Sequence, residues 1–275
     1  MHDQCLRFHF LLFNLAAVAI YPLNRKYGAR EIENRQSQGA TIGVSLAPGP
    51  NGKTAGSYQF IGQAHSYIQF PNNGGLDTKR SITMLCWLYP QSTVGPIFDY
   101  YPSGSWGHWG VHMWVISETL FARFMERNYR FTQPLTAIKS LSLNQWQYVG
   151  ASYDHNTGNA SLWLDGQRVV QKNIGAGLTL ATQDNVRMGA KEAVRWCLRG
   201  RIAAMQIYDV ALTKRQVNAV KIASQGNRFE VAFSLVFLQS SLIYHAPFDH
   251  GLNDFLCSFV SIFYLVLHIF FKKKV

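Results

Sequence analysis

Residues 145–172, QWQYVGASYDHNTGNASLWLDGQRVVQK, contain three strand-like runs separated by two turns. The first run, 146–153, is rich in aromatic and β-branched residues, which favour strands. Asn156 and Gly158 follow it in a short polar segment that is typical of a tight reversal. Further on, Asp165-Gly166 suits a two-residue hairpin loop, because both positions need positive φ, which Gly adopts freely and Asp tolerates. The stretch therefore predicts an antiparallel meander.

The order of residues in this meander resembles that of a known family. W-x-Y-V-x-x-S-Y-D-x-x-T-G, beginning at Trp146, and S-L-W-L-D-G, beginning at Ser161, are similar to the central meander of laminin G-like domains. The same family order continues in the runs at residues 57–62, 66–70, 81–90 and 200–213. The resemblance implies an all-β fold, an antiparallel jelly-roll β-sandwich of the concanavalin A-like type. It also implies an extracellular, lectin-like recognition or cell-adhesion role.

Length and composition favour one folded domain. The chain has 275 residues, of which 48% are hydrophobic and 14% aromatic, well above what a disordered chain carries. Strand-like runs recur at intervals of about 8 to 12 residues, which favours a single sandwich, and we place it at residues 17–223. A short helix, 214–223, follows the last strand, because Thr213 is a good N-cap and Val217 and Val220 share one half-buried face.

The N-terminal residues support two competing interpretations. Residues 1–16 form an apolar leader or signal-like segment, which ends just before Ala17-Val18-Ala19, a sequence that resembles a signal-peptide cleavage site. Residues 17–24, AVAIYPLN, alternatively match the first strand of the laminin G-like family. The two interpretations exclude each other in part, since cleavage after Ala19 would cut that strand in half.

The C-terminal residues fall into three segments. Residues 224–240 are a linker, and residues 241–254 resemble the domain-opening run, as if a second, incomplete repeat began there. Residues 255–275 are hydrophobic with a Lys-rich end, and their apolar run, 255–271, is at the short limit for spanning a bilayer. Either this run anchors the protein in a membrane, or the tail is not a natural structured part of the protein. We expect an extracellular or secreted protein, with membrane anchoring and membrane contact through 255–271 as the alternative.

The sequence lacks the catalytic motifs of the enzymes that share the jelly-roll architecture. Jelly-roll glucanases carry closely spaced carboxylates in Glu-x-Asp-x-x-Glu or Glu-x-Asp-x-Glu runs, and the chain has neither run. It also has no G-x-S-x-G motif and no phosphate-binding loop. We therefore predict a non-catalytic recognition or adhesion domain without a nucleic-acid partner. A structural repeat of a larger array and a glycan-active hydrolase are the alternatives.

We predict no cofactor, although the resemblance raises the question of calcium. Many laminin G-like domains carry acidic residues after the F-x-G of an early strand and in the closing strand. This chain has Gln63-Ala64-His65 at the first place and Ala203-Ala204 at the second, so the hard anionic oxygens that calcium needs are missing there. Three other acids either stabilise turns or bind an ion from loops: Asp99, Asp154 and Asp184.

Two sets of side chains are candidates for ligand binding. The first set is aromatic and would stack on sugar rings, with a place in the core as the alternative: Tyr100, Tyr101, Trp106 and Trp109. The second set is basic and would bind sulfate or carboxylate groups, with a solvated loop as the alternative: Lys191, Arg195, Arg199 and Arg201. The net charge of +11 also favours an anionic partner. We therefore expect a glycan, sulfated glycans and heparin included, or an extracellular matrix protein as the partner.

Covalent features are few. Four cysteines lie far apart without C-x-x-C spacing, which argues against a zinc site. Cys86 and Cys197 fall within the predicted domain, where they either pair in a disulfide or remain two buried thiols. Asn159-Ala160-Ser161 is an N-glycosylation sequon, so Asn159 is a candidate acceptor in a secreted protein.

Overall fold

The structure, a computed structural model, describes residues 17–102, 109–191 and 196–225, which all lie in one unit of the chain, residues 1–229. Within these residues the chain forms two antiparallel sheets, one α-helix, α1 (Lys214–Gln225), and one short 3-10 helix (Pro50–Gly52). The strands are β1 (Ala19–Tyr21), β2 (Ala40–Ile42), β3 (Ser45–Ala47), β4 (Ser57–Ile61), β5 (Tyr67–Phe70), β6 (Ile82–Pro90), β7 (Val94–Tyr101), β8 (His112–Ile116), β9 (Thr119–Arg123), β10 (Leu135–Ala137), β11 (Gln147–Tyr153), β12 (Asn159–Leu164), β13 (Gln167–Asn173), β14 (Asn185–Met188) and β15 (Arg199–Tyr208).

The strand order makes the molecule a jelly-roll sandwich. The first sheet has the order β13-β12-β11-β6-β15-β4-β3, and β1 also pairs with β15. The second sheet has the order β10-β9-β8-β7-β14-β5-β2. Strands that are distant in sequence therefore lie side by side, for example β6 between β11 and β15. This arrangement confirms the predicted all-β, concanavalin A-like sandwich.

The predicted meander is β11, β12 and β13, in that spatial order. Asp165 and Gly166 form the hairpin loop between β12 and β13 with positive φ, 52° and 84°. The Asp165 carboxylate Oδ1 accepts a hydrogen bond from the Tyr148 backbone N–H at 3.0 Å, which ties the loop to β11. The turn chemistry that the sequence indicates is thus the chemistry that the chain uses.

The hydrophobic core lies between the two sheets. Alternate residues of each strand point inward, as the period of two requires. Phe98 and Tyr100 of β7, for example, belong to the core, whereas Asp99 between them points to the outer face. Tyr21 of β1 packs on Phe70 of β5 with ring centroids 4.3 Å apart, so the strand at 19–21 joins the core directly.

Helix α1 covers the outer face of the first sheet. Thr213 and Gln216 form a capping box, in which the Thr213 N–H donates to Gln216 Oε1 at 2.9 Å and the Gln216 N–H donates to Thr213 Oγ1 at 3.4 Å. Val217 and Val220 are buried, as the sequence predicts. The helix runs to Gln225, two residues beyond the predicted end.

The predictions on the two ends of the chain fall mostly outside the described residues. Strand β1 lies within residues 17–24 and pairs with β15, in agreement with the interpretation of that run as a strand. The leader at 1–16, the repeat at 241–254 and the segment 255–275 are not described, nor is the linker beyond residue 225. In the described parts of the chain, no helix has the length and apolar character needed to cross a bilayer.

Candidate binding site on the outer face of the second sheet

Five strands of the second sheet place one polar side chain each in a single line. The register aligns Gln69 with Arg187, Arg187 with Asp99, Asp99 with His112, and His112 with Arg123. All five alternate with core residues along their strands, so they lie on the outer face of the sheet. We call Gln69, Arg187, Asp99, His112 and Arg123 the polar row.

Arg187 is held firmly within the row. Its Nε donates to Gln69 Oε1 at 3.0 Å. Its guanidinium lies between two rings, with Cζ 3.9 Å from the ring centroid of Tyr101 and 4.3 Å from that of Tyr67. Because a guanidinium is attracted to aromatic faces, this arrangement fixes the positive charge beside the centre of the row.

Asp99 occupies the centre of the row and is only 1% exposed. Its Oδ2 lies 3.9 Å from the ammonium of Lys191, too far for a hydrogen bond. Neither carboxylate oxygen has a hydrogen-bond partner within the described chain. Burial raises the pKa of Asp99 to about 7, although the positive charges of Lys191 and Arg187 act in the opposite direction. Burial dominates because the long contact with Lys191 does not replace the hydration that the carboxylate loses.

His112 is the buried neighbour of Asp99 in the row. Its Nδ1 lies 2.8 Å from the Gly110 carbonyl oxygen, so Nδ1 carries the proton and donates to that oxygen. Burial lowers the pKa of His112 to about 3, assisted by the nearby charges of Lys191 and Arg123, so the ring is neutral at physiological pH. The imidazole stacks on Phe121, with ring centroids 5.7 Å apart and an interplanar angle of 20°.

A continuous aromatic array flanks the row. Each member packs on the next, with 5.2 to 5.7 Å between ring centroids and 5.0 and 5.6 Å from the Arg123 Cζ to the rings of Phe131 and Phe121. We call the set, which includes this one guanidinium, the aromatic surface: Phe131, Arg123, Phe121, His112, Trp109, Trp114 and Trp196. Its two ends face solvent, because Phe131 is 56% and Trp196 40% exposed. Two of its members carry buried donors, Trp114 Nε1 and Arg123 Nε, that have no acceptor in the described chain. The surface thus combines exposed rings with unpaired polar atoms.

The structure separates the four predicted aromatic residues. Tyr100 is completely buried, and its hydroxyl donates to the Leu76 carbonyl at 2.6 Å, so its proposed role in stacking on a sugar is corrected to a core role. Tyr101 points outward but is buried under Arg187, so it too offers no ring face to a ligand. Trp109 is half-buried within the aromatic surface. Trp106 lies outside the described residues.

Three of the four predicted cations lie in the described residues and have different environments. Lys191 packs in the candidate site, with its Nζ 3.2 Å from the ring centroid of Trp109. Arg199 and Arg201 belong to β15 of the other sheet. There Arg201 donates from Nε to Gln59 Oε1 at 3.1 Å, while Arg199 is exposed. Arg195 lies outside the described residues. Arg199 and Arg201 thus lie on a strand and not in the loop that the sequence predicts, whereas Lys191 lies between β14 and β15. The binding role of these cations stays a prediction.

The three candidate acids have separate environments. Asp154 accepts hydrogen bonds from the Asn156 N–H at 3.0 Å and from the Thr157 hydroxyl at 2.9 Å, the role of a turn residue. Asp184 accepts from the Tyr129 hydroxyl at 3.1 Å. Asp99 lies within β7 and not in a loop. In the described ranges no group of three or more His, Cys, Asp or Glu side chains is arranged to hold a metal ion.

The covalent candidates have defined positions. Cys86 in β6 and Cys197 just before β15 are both buried, and the structure has them as two thiols and not as a disulfide. Burial raises the pKa of each thiol. Asn159 begins β12 and is half-buried, and its Oδ1 lies 3.4 Å from the Asn173 amide nitrogen. Its glycosylation stays a prediction.

Sequence reasoning missed most of this site. Apart from Asp99 and Trp109, no member of the row or the aromatic surface stood out in the sequence, because most of them are ordinary strand residues on their own. A signal was present in β9, where Phe121 and Arg123 alternate with Leu120 and Ala122. That alternation identifies an outer face but not the strands beside it, which pairing over long distances decides.

Comparisons with known proteins agree with the fold. The model of the concanavalin A-like lectin/glucanases superfamily matches residues 62–218, more than half of the chain. The chain therefore belongs to this superfamily of jelly-roll domains. No curated protein sequence matches it.

Solved structures with the same fold include several toxin binding domains. The botulinum neurotoxin serotype D ligand binding domain, solved in complex with N-acetylneuraminic acid, matches with a TM-score of 0.61 and 12% identity over 76% of this chain and 52% of that chain. The binding domain of Paraclostridial Mosquitocidal Protein 1 matches with a TM-score of 0.57 and 15% identity, with the same two coverages, 76% and 52%. The binding domain of botulinum neurotoxin DC, in complex with rat synaptotagmin II, gives 0.60 and 14%, again over 76% and 52%. The chain spans about half the length of these structures, and at such identities the likeness concerns the fold alone.

Proposed function

We propose that this domain is a non-catalytic, extracellular recognition domain that binds a glycan on the outer face of the second sheet. The observation that carries the proposal is the aromatic surface, whose exposed rings border buried polar atoms that have no partner in the described chain. Aromatic rings pack on the C–H faces of sugars, and polar atoms beside them orient the hydroxyl groups. The site has both components.

The composition of the row supports binding over hydrolysis. Glycoside hydrolysis ordinarily needs two carboxyl groups that flank the scissile bond. In the polar row Asp99 is accompanied by an amide, an imidazole and two guanidinium groups, so a second carboxylate is missing from the row itself. Two of the toxin domains named above were solved in complex with N-acetylneuraminic acid and with rat synaptotagmin II, so both a glycan and a protein are considered as partners. A matrix protein is the alternative partner.

The test is a binding screen of the full chain on a glycan array and on a panel of immobilised matrix proteins. We expect glycan binding that falls about 10-fold in Trp196→Ala, since that indole is one of the two exposed ends of the aromatic surface. Trp146→Ala is the matched control, because Trp146 is a partly exposed Trp that packs on Tyr89, at 5.5 Å, on the other sheet.

Three results would contradict the proposal. Absence of any ligand at low and high salt would identify the domain as a structural repeat. Binding only to matrix proteins would replace the glycan by a protein partner. Reproducible turnover of a polysaccharide, lost in Asp99→Asn, would make the protein a hydrolase.

A further inference from the structure

The outer face of the first sheet is partly exposed beyond the C-terminal end of α1. The helix meets β6 at Trp87, whose indole N–H donates to Ser224 Oγ at 2.8 Å. Tyr89 lies two residues further along the same face of β6 and is only half-buried. The register places one guanidinium of β15 beside Tyr89, and a second one lies two residues before it on the same strand. We call the side chains of this part the arginine face: Gln59, Ile61, Tyr89, Arg199 and Arg201.

Arg201 is held at the centre of the arginine face. Its Cζ lies 4.9 Å from the ring centroid of Tyr89, and its Nε donates to Gln59 Oε1 at 3.1 Å. Gln59 is fixed in turn, because its Nε2 donates to the Gly200 carbonyl at 2.9 Å. Of the two remaining nitrogens, Nη1 donates over a long distance, 3.4 Å, to the Pro48 carbonyl, and Nη2 has no partner in the described residues. The guanidinium is therefore fixed in direction, with donors left for a ligand.

Arg199 supplies the second guanidinium of the face. It is exposed, and its side chain has no hydrogen-bond or ion-pair partner within the described part of the chain. It pairs with Ile61 of β4, which is 44% exposed, so an apolar side chain lies beside the charge. Because residues two apart on a strand share one face, the Cα atoms of Arg199 and Arg201 are about 6.6 Å apart. The two cations thus have the spacing of alternate residues in an extended chain.

The arginine face has cations but no acids. The three strands that form it, β4, β6 and β15, contain no Asp or Glu, and neither does β3, which pairs with β4. A neutral or basic partner would leave the two guanidinium groups covered without a counter-charge, which is costly. The face is therefore complementary to a partner that carries carboxylates.

We propose that the arginine face binds an extended, acidic segment of a partner protein, in which carboxylates two residues apart pair with Arg199 and Arg201. An extended chain directs every second side chain to one side, with the same period as β15. A guanidinium can hold a carboxylate through two parallel hydrogen bonds. Ile61 and Tyr89 favour a protein over a sulfated glycan, because they add apolar contact beside the charges and because tyrosine and arginine are enriched in the hot spots of protein interfaces. The inference concerns the sheet opposite the proposed glycan site and does not depend on that site.

The test measures binding of the full chain to two acidic peptides by fluorescence anisotropy, with heparin oligosaccharides as a third probe. One short peptide alternates Glu and Thr. The other has the same composition in repeated Glu-Glu-Thr-Thr units, in which no two Glu residues are two apart. We expect the alternating peptide to bind, with an affinity that falls steeply between low salt and about 0.5 M salt. The second peptide should bind at least about 3-fold more weakly, because an extended chain turns its adjacent carboxylates to opposite sides.

A matched pair of double variants separates the face from overall charge. Arg199→Ala/Arg201→Ala should weaken binding of the alternating peptide about 10-fold, because both charge-assisted contacts are lost. Arg80→Ala/Arg168→Ala removes two exposed arginines elsewhere and the same formal charge, and should change the affinity by less than about 2-fold. Arg199→Ala alone removes no hydrogen bond or ion pair of the described chain, so it keeps the test valid if the loss of Arg201 disturbs the fold. We expect it to weaken binding about 3-fold.

Four results would overturn the inference. Equal losses in the two double variants would show that overall charge attracts the peptide, and equal affinity for the two peptides would show that the spacing of the arginines has no effect. Arginine-dependent binding of heparin oligosaccharides that is tighter than peptide binding would make the face a glycan site. No binding of the alternating peptide at low salt would remove the partner altogether. None of these results bears on the proposed glycan site, which is tested by Trp196→Ala.

Discussion

The outer faces of the two sheets differ in how their buried polar groups are satisfied. On the first sheet, beneath α1, Trp163 Nε1 donates to Ser152 Oγ at 2.9 Å and Gln206 Nε2 donates to the Tyr148 hydroxyl at 2.9 Å. The Trp87 indole donates to Ser224 Oγ on the helix at 2.8 Å. Within the described residues, no buried side-chain polar atom on this face lacks a partner.

The second sheet presents the same kinds of residue with the opposite outcome. Asp99, Trp114 and Arg123 are equally part of a strand surface, yet their buried polar atoms are unpaired in the described chain. Burial of an unpaired polar group lowers the stability of the folded state. The buried polar atoms of the first sheet's outer face are hydrogen-bonded, which suits a structural surface. Those of Asp99, Trp114 and Arg123 on the second sheet are not, which is the pattern expected of a surface that takes up a ligand.

The largest effect that we expect is on the pH dependence of stability in Asp99→Asn. The carboxyl ionises near 3.8 in the unfolded chain and near 7 in the fold. A raised folded-state pKa means that the contribution of Asp99 to stability is fully present below pH 3.8 and is lost as the pH rises through 7, which amounts to up to about 4 kcal/mol. Asparagine does not titrate, so the variant should be more stable than wild type at pH 8 and about equal at pH 4. Urea unfolding at both pH values measures this, and a variant less stable than wild type at pH 8 would contradict the unpaired state of Asp99.

A smaller effect should follow from disturbing the satisfied face. Gly166→Val places a β-branched residue at φ 84°, and its Cβ would lie 2.1 Å from Asn218 Oδ1 of α1. We expect a loss of about 2 to 3 kcal/mol, measured by urea unfolding. Gly52→Val is the control, since Gly52 has a similar φ of 71° but no atom within 4 Å of the added Cβ. Equal losses in the two variants would show that only backbone strain matters and that the contact with α1 does not.

A matched pair of substitutions compares the two faces directly. Trp163 and Trp114 are both 2% exposed, but only the Trp163 indole N–H has a partner. Replacement by Phe removes a hydrogen bond at Trp163 and an unpaired donor at Trp114. We therefore expect Trp163→Phe to lower the free energy of unfolding by about 1 to 2 kcal/mol more than Trp114→Phe. The reverse order in thermal or urea unfolding would mean that the two faces are satisfied to the same degree.

The smallest effect that we expect is a difference in heparin retention between two double variants. The sequence predicts a basic loop that includes Lys191, Arg199 and Arg201, but in the structure the two arginines lie on β15 while Lys191 packs on Trp109. Without that loop, retention on heparin depends on exposed charge in general, which salt screens over about 8 Å. We expect Arg199→Ala/Arg201→Ala to elute at the same salt concentration as Lys53→Ala/Lys79→Ala, two exposed lysines elsewhere. Much earlier elution of the arginine variant would restore a special role for that pair.

Local chemistry in the sequence determined much of the fold. The Asp165-Gly166 turn, the Thr213 cap and the aromatic and β-branched residues of the meander each act over a few neighbouring residues, and the structure has the turn, the cap and the strands. Interactions of such short range depend only on residues that are neighbours in the sequence, so they can be predicted before any tertiary contact is known.

Most of the candidate binding site was decided by the tertiary structure. Tyr100 and Tyr101 are adjacent and chemically identical, and only the sheet register sends the first into the core and the second to the outer face. Asp99 and Arg187 become neighbours because β7 pairs with β14, which follows it far along the chain. The sequence by itself determined strands, turns and the family. Long-range strand pairing decided which side chains meet, because the residues of one strand do not show which distant strand will pair with it.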